Sequence, residues 1–182
     1  MNDISTLPMK NPKSTIQGFP RGRLTLIYGD EGKTSLCLQE IARLTTQGGN
    51  VMYVDLDDKM TEKYALSAGV NLAGFEIVKP STRREVLTSL LTGIEERVDM
   101  IVFDSLGHIF PYEPGPNTQY WSGILPRACD ILEKSSVAWV VAAKEENSRP
   151  LGGMAWRYVS ALTLRTHDGQ IDVIKDRLTE RG

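Results

Sequence analysis

The sequence predicts an α/β protein in which helices flank a mostly parallel central sheet and an antiparallel hairpin closes the chain at its C-terminal end. Three observations carry this. Short, nearly continuous apolar runs recur at residues 24–28, 51–55, 100–105 and 137–143, as expected for parallel strands buried on both faces. Segments with helical spacing separate them. Finally, His167-Asp168-Gly169 stands between two extended runs, residues 161–165 and 170–175, and Asp-Gly in that setting is a strong hairpin signal.

Composition bounds the rest. At 182 residues the chain is long enough to bury one continuous core, and 41% hydrophobic with 24% charged residues is ordinary for a globular protein. We expect a flexible arm over residues 1–15, which are polar, aperiodic and carry Pro8 and Pro12, followed by one core domain over 16–182. A formal charge of −2 provides no global positive field, so any contact with nucleic acid has to be local. Cys37 and Cys129 are too few for a disulfide framework and lack metal-binding spacing; they read as buried thiols of a reducing compartment. The first residues have no apolar core for a signal peptide, and no apolar run is long enough to cross a bilayer. The expectation is a cytoplasmic protein with no membrane contact.

The first strand, residues 24–28, runs into Gly29-Asp30-Glu31-Gly32-Lys33-Thr34-Ser35 and then into a helix whose predicted apolar face is Leu36, Ile41 and Leu44. Strand, glycine turn, Lys-Thr-Ser and helix is the layout of a phosphate-binding loop. The turn and the first helical N–H groups converge on an anion, Lys33 adds a point charge, and Thr34 or Ser35 offers a hydroxyl to Mg²⁺. The loop is two residues shorter than the usual G-x-x-x-x-G-K-[ST], and Asp30 and Glu31 bring two carboxylates beside the expected polyanion. A plain glycine turn with a solvated Lys33 is the competing reading.

Further along, residues 47–50 end this helix, and the second strand delivers Asp55-Leu56-Asp57-Asp58 to the carboxyl edge of the sheet, where open α/β sheets bind ligands. Asp57 is a candidate to orient or deprotonate an attacking water, against the alternative of a solvated acidic turn. A short helix near 62–68 and a strand near 75–78 follow. Thr82-Arg83-Arg84-Glu85 has the capping-box pattern and opens a helix with Val86, Leu87, Leu90, Leu91 and Ile94 on one face. The strand at 100–105 ends in Asp104-Ser105, where the carboxylate could hold Mg²⁺ or its water shell. Residues 107–119, rich in Pro and Gly, read as an exposed loop whose His108, Phe110 and Tyr112 could stack on bases or pack on their own domain. Ile124, Leu125, Ala128, Ile131 and Leu132 mark a helix that Pro126 begins or kinks. After the strand at 137–143, residues 144–150 read as a polar, mobile loop.

In order and wording these segments resemble the ATPase core of the RecA/RadA recombinases over about residues 18–177. GFPRGRLTLIYG resembles that family's approach to its phosphate loop. VMYVDLDDKMTEKYALSAGVNL resembles its second strand, acidic turn and following helix, and MIVFDSLGHIF its metal-binding strand. PLGGMAWRYVSALTLR resembles the segment leaving its second DNA-binding loop, and VIKDR its closing strand. The resemblance implies a RecA-like P-loop ATPase core that takes ATP and Mg²⁺. It assigns Lys33 and Thr34 to phosphate and metal, with Gly29, Asp30, Glu31, Gly32 and Ser35 completing the cradle. It also assigns Asp57 to the catalytic carboxylate and Asp104 to the metal. Lys144 stands where the family usually has a glutamine that senses the γ-phosphate. Lys175 and Arg177 match basic residues that reach a neighbour's ATP, which implies assembly. Lys144, Arg149 and Arg157 would meet the backbone of single-stranded DNA. Core-only relatives, such as archaeal RadB and small phage annealing ATPases, are the nearer comparison.

Two functional readings result. One is a DNA-dependent ATPase acting on single-stranded DNA in recombination, annealing or repair, as a homo-oligomer. The other is a non-hydrolysing recombinase paralogue that works by docking on a recombinase or a single-strand-binding partner. A small-molecule kinase is disfavoured, because no acceptor site or lid segment is visible.

Overall fold

The computed structural model describes residues 18–107, 117–150 and 154–178. The predicted arm at 1–15 and the aromatics His108, Phe110 and Tyr112 lie outside the described residues. Five strands and four helices occupy the first part of the described chain in near-alternation: β1 (Leu24–Gly29), α1 (Lys33–Thr46), β2 (Val51–Asp55), α2 (Glu62–Ser67), β3 (Phe75–Val78), α3 (Arg83–Glu95), β4 (Met100–Leu106) and, after α4 (Asn117–Glu133), β5 (Ala138–Glu146). The remainder is β6 (Arg149–Pro150), α5 (Met154–Val159), β7 (Leu162–His167) and β8 (Gln170–Asp176). The sheet order is β3-β2-β4-β5-β1-β7-β8, parallel from β3 to β7, with β8 antiparallel at one edge and β6 paired only to β5.

Period-two alternation within the strands explains why both faces are covered. In β2, Met52 and Val54 point into one apolar layer and Val51 and Tyr53 into the other; in β4, Ile101 and Phe103 oppose Met100 and Val102; in β5, Trp139 and Val141 oppose Ala138 and Val140. The first layer is closed by Val86 and Leu90 of α3, Trp121 and Leu125 of α4 and Trp156 of α5; the second by Cys37, Leu38 and Ile41 of α1 and Ala65 of α2. β2, β4 and β5 are therefore apolar on every residue until they reach the carboxyl edge, where Asp55, Asp104 and Lys144 begin the polar part.

Several boundaries differ from the sequence expectation. α1 buries Cys37, Leu38, Ile41 and Thr45, while Leu36 and Leu44 are only partly buried, because the helix turns its Cys37 stripe to the sheet. α4 continues through Pro126, which lies on its exposed side. Its core face is Trp121, Leu125, Ala128 and Leu132; Ile131 is outside. Residues 144–150 are not a mobile loop. Lys144 to Glu146 continue β5, and the chain returns as β6 through Asn147 and Ser148, both at positive φ as a tight two-residue hairpin requires. The hairpin at Asp168-Gly169 forms as expected, again with positive φ at both residues.

Candidate active site

Parallel register brings the chemistry together. In the sheet order β2-β4-β5-β1, four adjacent strand ends present Asp55, Asp104, Lys144 and Gly29, with Asp55 paired to Asp104 and Lys144 paired to Gly29. They edge a cleft of about 420 Å³ whose lining also includes Asp30, Lys33, Thr34, Asp57 and Tyr64.

The loop after β1 is shaped by its glycines. Gly29 has φ +136°, and a Cβ there would lie 1.9 Å from the Thr166 carbonyl oxygen on β7. Only glycine permits this approach of two backbones. Gly32, at φ +87°, is the N-cap of α1, and no side chain caps that helix. Its first-turn N–H groups therefore remain available to an anion, with the helix dipole behind them. Lys33 is buried and donates through Nζ to the carbonyls of Gly29 at 2.5 Å and Asp30 at 2.7 Å. Burial lowers its pKa, against the pull of Asp104 and Asp30.

Thr34 and Asp104 meet, as the metal-site expectation requires: Thr34 Oγ1 donates to Asp104 Oδ2 at 2.5 Å. Tyr53, which sequence reasoning did not single out, donates to the same oxygen at 2.5 Å. The signal was its position on β2, on the same face as Thr34, one strand from Asp104. Desolvation raises the pKa of Asp104, and the two donated hydrogen bonds oppose that rise. The Asp104–Ser105 peptide is cis. Among the described residues no three His, Cys, Asp or Glu side chains form a metal cage. One carboxylate with a hydroxyl against it suits Mg²⁺, which keeps waters and takes its other ligands from phosphate.

Asp57 lies on the opposite rim. Its Oδ2 accepts from Ser105 Oγ at 3.0 Å and stands 3.5 Å from Lys144 Nζ and 3.4 Å from Lys59 Nζ. The turn that carries it is pinned by Asp55, which is buried and accepts from the backbone N–H groups of Lys59 (3.2 Å) and Met60 (2.7 Å). Asp55 was also missed; a carboxylate that ends a strand and caps the following turn leaves no distinct mark in sequence. Glu145 holds Arg165 through paired hydrogen bonds of 2.6 and 3.0 Å, tying the β5–β6 hairpin to β7 across the loop.

Other predicted residues fall elsewhere. Glu31, Gly32 and Ser35 belong to the loop and first helical turn but do not line the cleft. Arg149 is on β6 and Arg157 on α5. Lys175 pairs with Thr163, which pairs with Leu26, so it sits about 10 Å back along the sheet from the level of Gly29, on the outermost strand. Its ammonium donates to the carbonyls of Arg157 (2.6 Å), Tyr158 (3.0 Å) and Ser160, closing the C-terminal end of α5. Arg177 stacks over Tyr158.

A family model described as the RecA N-terminal domain matches residues 6–114, more than half of the chain. The chain belongs to the RecA family. Protein RecA of Delftia acidovorans is 39% identical over 99 residues, which cover 53% of this chain and 27% of that protein. Protein RecA of Latilactobacillus sakei is 36% identical over 101 residues, covering 53% and 28%. Protein RecA of Ureaplasma parvum aligns with the whole chain at 29% identity over 205 residues, covering 61% of its own length. The chain thus spans less than two thirds of these relatives. The 99-residue and 101-residue matches each take in about half of it, and the family model spans the part holding the loop at residues 29–34, the acidic turn and the Asp104 strand.

Proposed function

We propose that this chain is an ATP-binding, DNA-dependent ATPase of the RecA type that acts on single-stranded DNA in recombination, annealing or repair. The observation that carries the reading is the cleft at the carboxyl ends of β1, β5, β4 and β2, where an uncapped helix N-terminus, Lys33, Thr34 and Asp104 face Asp57 and Lys144. In this reading the phosphates rest on the first turn of α1 with Lys33 turned from its loop carbonyls towards them, and Thr34 and Asp104 hold Mg²⁺. The metal supplies charge neutralisation and phosphate orientation when bound. Three lysines and five carboxylates line the cleft, so a polyanion enters favourably only with a divalent cation. Asp57 orients the attacking water, and Tyr64, half exposed at the rim, offers a flat face to a base.

Lys144, Arg149 and Arg157 are the contacts proposed for the DNA backbone. Lys175 and Arg177 are proposed to serve a neighbouring subunit's nucleotide, since within one chain they lie far from the cleft. A cytoplasmic location is part of this proposal; among the described residues no helix is long and apolar enough to cross a membrane. The test is ATP turnover with and without single-stranded DNA: DNA-stimulated hydrolysis that Lys33→Ala reduces at least about a hundredfold supports the reading. A second reading, the non-hydrolysing paralogue acting through a recombinase or single-strand-binding partner, is favoured by the short loop and by Lys33 being spent on loop carbonyls. Absent turnover with tight binding to such a partner would select it.

A further inference from the structure

Three lysines line the cleft, and each is already engaged: Lys33 on the floor, and Lys144 and the more exposed Lys59 beside Asp57. Lys33 donates to the loop carbonyls; Lys144, half exposed, reaches from the end of β5 past Gly107 to lie 3.5 Å from Asp57. Lys144 is paired in register with Gly29, the first residue of the phosphate loop, and Asp57 comes from the far side of β4. Their contact therefore bridges the mouth of the cleft. The carboxylate best placed to orient a water and the rim cation best placed to meet a terminal phosphate neutralise one another.

We propose that Lys144 and Asp57 form an exchange latch: a nucleoside triphosphate, and not a diphosphate, draws Lys144 off Asp57 and so frees that carboxylate. The inference rests on the nucleotide-binding reading of this cleft. A diphosphate seated on the first turn of α1 engages the floor and leaves the rim pair intact. A third phosphate extends to the rim, and its two negative charges outcompete a single part-exposed carboxylate for the Lys144 ammonium. Asp57 keeps Ser105 as a hydrogen-bond donor and the solvent-exposed Lys59 at 3.4 Å but loses the Lys144 cation on its cleft side, and so opens to water there only when the phosphate to be attacked is in place. A neutral side chain at position 144 could sense the same phosphate but would have no charge to exchange.

The test is calorimetric titration of the full chain, in Mg²⁺, with ADP and with a non-hydrolysable β,γ-imido analogue of ATP. The wild type should prefer the analogue by about tenfold or more, and Lys144→Met should bring the ratio near one by weakening the analogue alone. Lys144→Arg should restore the preference. Asp57→Asn should tighten the analogue by about three- to tenfold without changing ADP, and the double variant should behave as Lys144→Met, because the latch needs both partners. Circular dichroism and melting check that each variant folds. Equal loss of both nucleotides in Lys144→Met, or a weaker analogue in Asp57→Asn, would overturn the latch while leaving nucleotide binding in place. A wild type that binds neither nucleotide would overturn the functional reading itself, and the latch with it.

Discussion

Two glycines of the loop between β1 and α1 should respond very differently to the same substitution. At Gly29 a Cβ would sit 1.9 Å from the carbonyl oxygen of Thr166 and 2.6 Å from its Oγ1, at φ +136°. The first contact is with backbone, so no rotamer relieves it; β1 and β7 must separate at their Gly29–Thr166 pair. Overpacking of this kind costs about 1–3 kcal/mol and an unfavourable φ about 1–3 kcal/mol more, giving roughly 2–6 kcal/mol for Gly29→Ala. At Gly32, φ is +87° but nothing lies within 4 Å of the added carbon, so Gly32→Ala carries only the conformational part, about 1–2 kcal/mol. Against a stability of about 5–15 kcal/mol, Gly29→Ala removes a large share and Gly32→Ala a small one. Urea denaturation with linear extrapolation measures both. A Gly32→Ala variant as destabilised as Gly29→Ala, or a Gly29→Ala variant within about 1 kcal/mol of the wild type, would show that the Thr166 carbonyl does not crowd position 29.

Asp104→Asn should separate stability from function. Burial raises the folded-state pKa of Asp104 above its ordinary 3.8, so the folded chain holds that proton more tightly than the unfolded one. The cost of the ionised carboxylate is absent below pH 3.8 and grows as pH rises through the folded-state pKa. The amide escapes it, so the variant should melt higher than the wild type at pH 7, by about 2–4 °C per kcal/mol relieved, and the gap should close as the pH is lowered to 4. The same change should abolish Mg²⁺-dependent nucleotide binding; a lower melting temperature at pH 7 would contradict it. Trp156, fully buried between Trp121 and Trp139 with ring centroids 5.1 and 5.7 Å away, should cost about 3–5 kcal/mol as Trp156→Ala. All three tryptophans of the chain belong to this cluster, so its emission should shift in the native state; unchanged emission would show that the rings do not touch. Finally, chelation with EDTA should weaken ATP-analogue binding at least about tenfold, because the cleft lining carries more carboxylates than lysines; binding indifferent to EDTA would refute the charge argument.

Element identity, and the strand ends at which the candidate residues gather, were legible in the residues themselves. Unbroken apolar runs meant strands covered on both faces, the glycines and Lys-Thr-Ser after a strand meant a tight turn into a helix, and Asp-Gly between extended runs meant a hairpin, each because a few neighbouring residues dictate the backbone. Tertiary structure alone decided what those residues touch. Tyr53 on Asp104, Lys144 on Asp57 and Lys175 on the end of α5 depend on the register of strands far apart in sequence, which no local pattern encodes. The same holds for residues 144–150: their polarity is that of a loop, yet Lys144 to Glu146 extend β5 because β6 folds back beside them and Arg165 holds Glu145 in place.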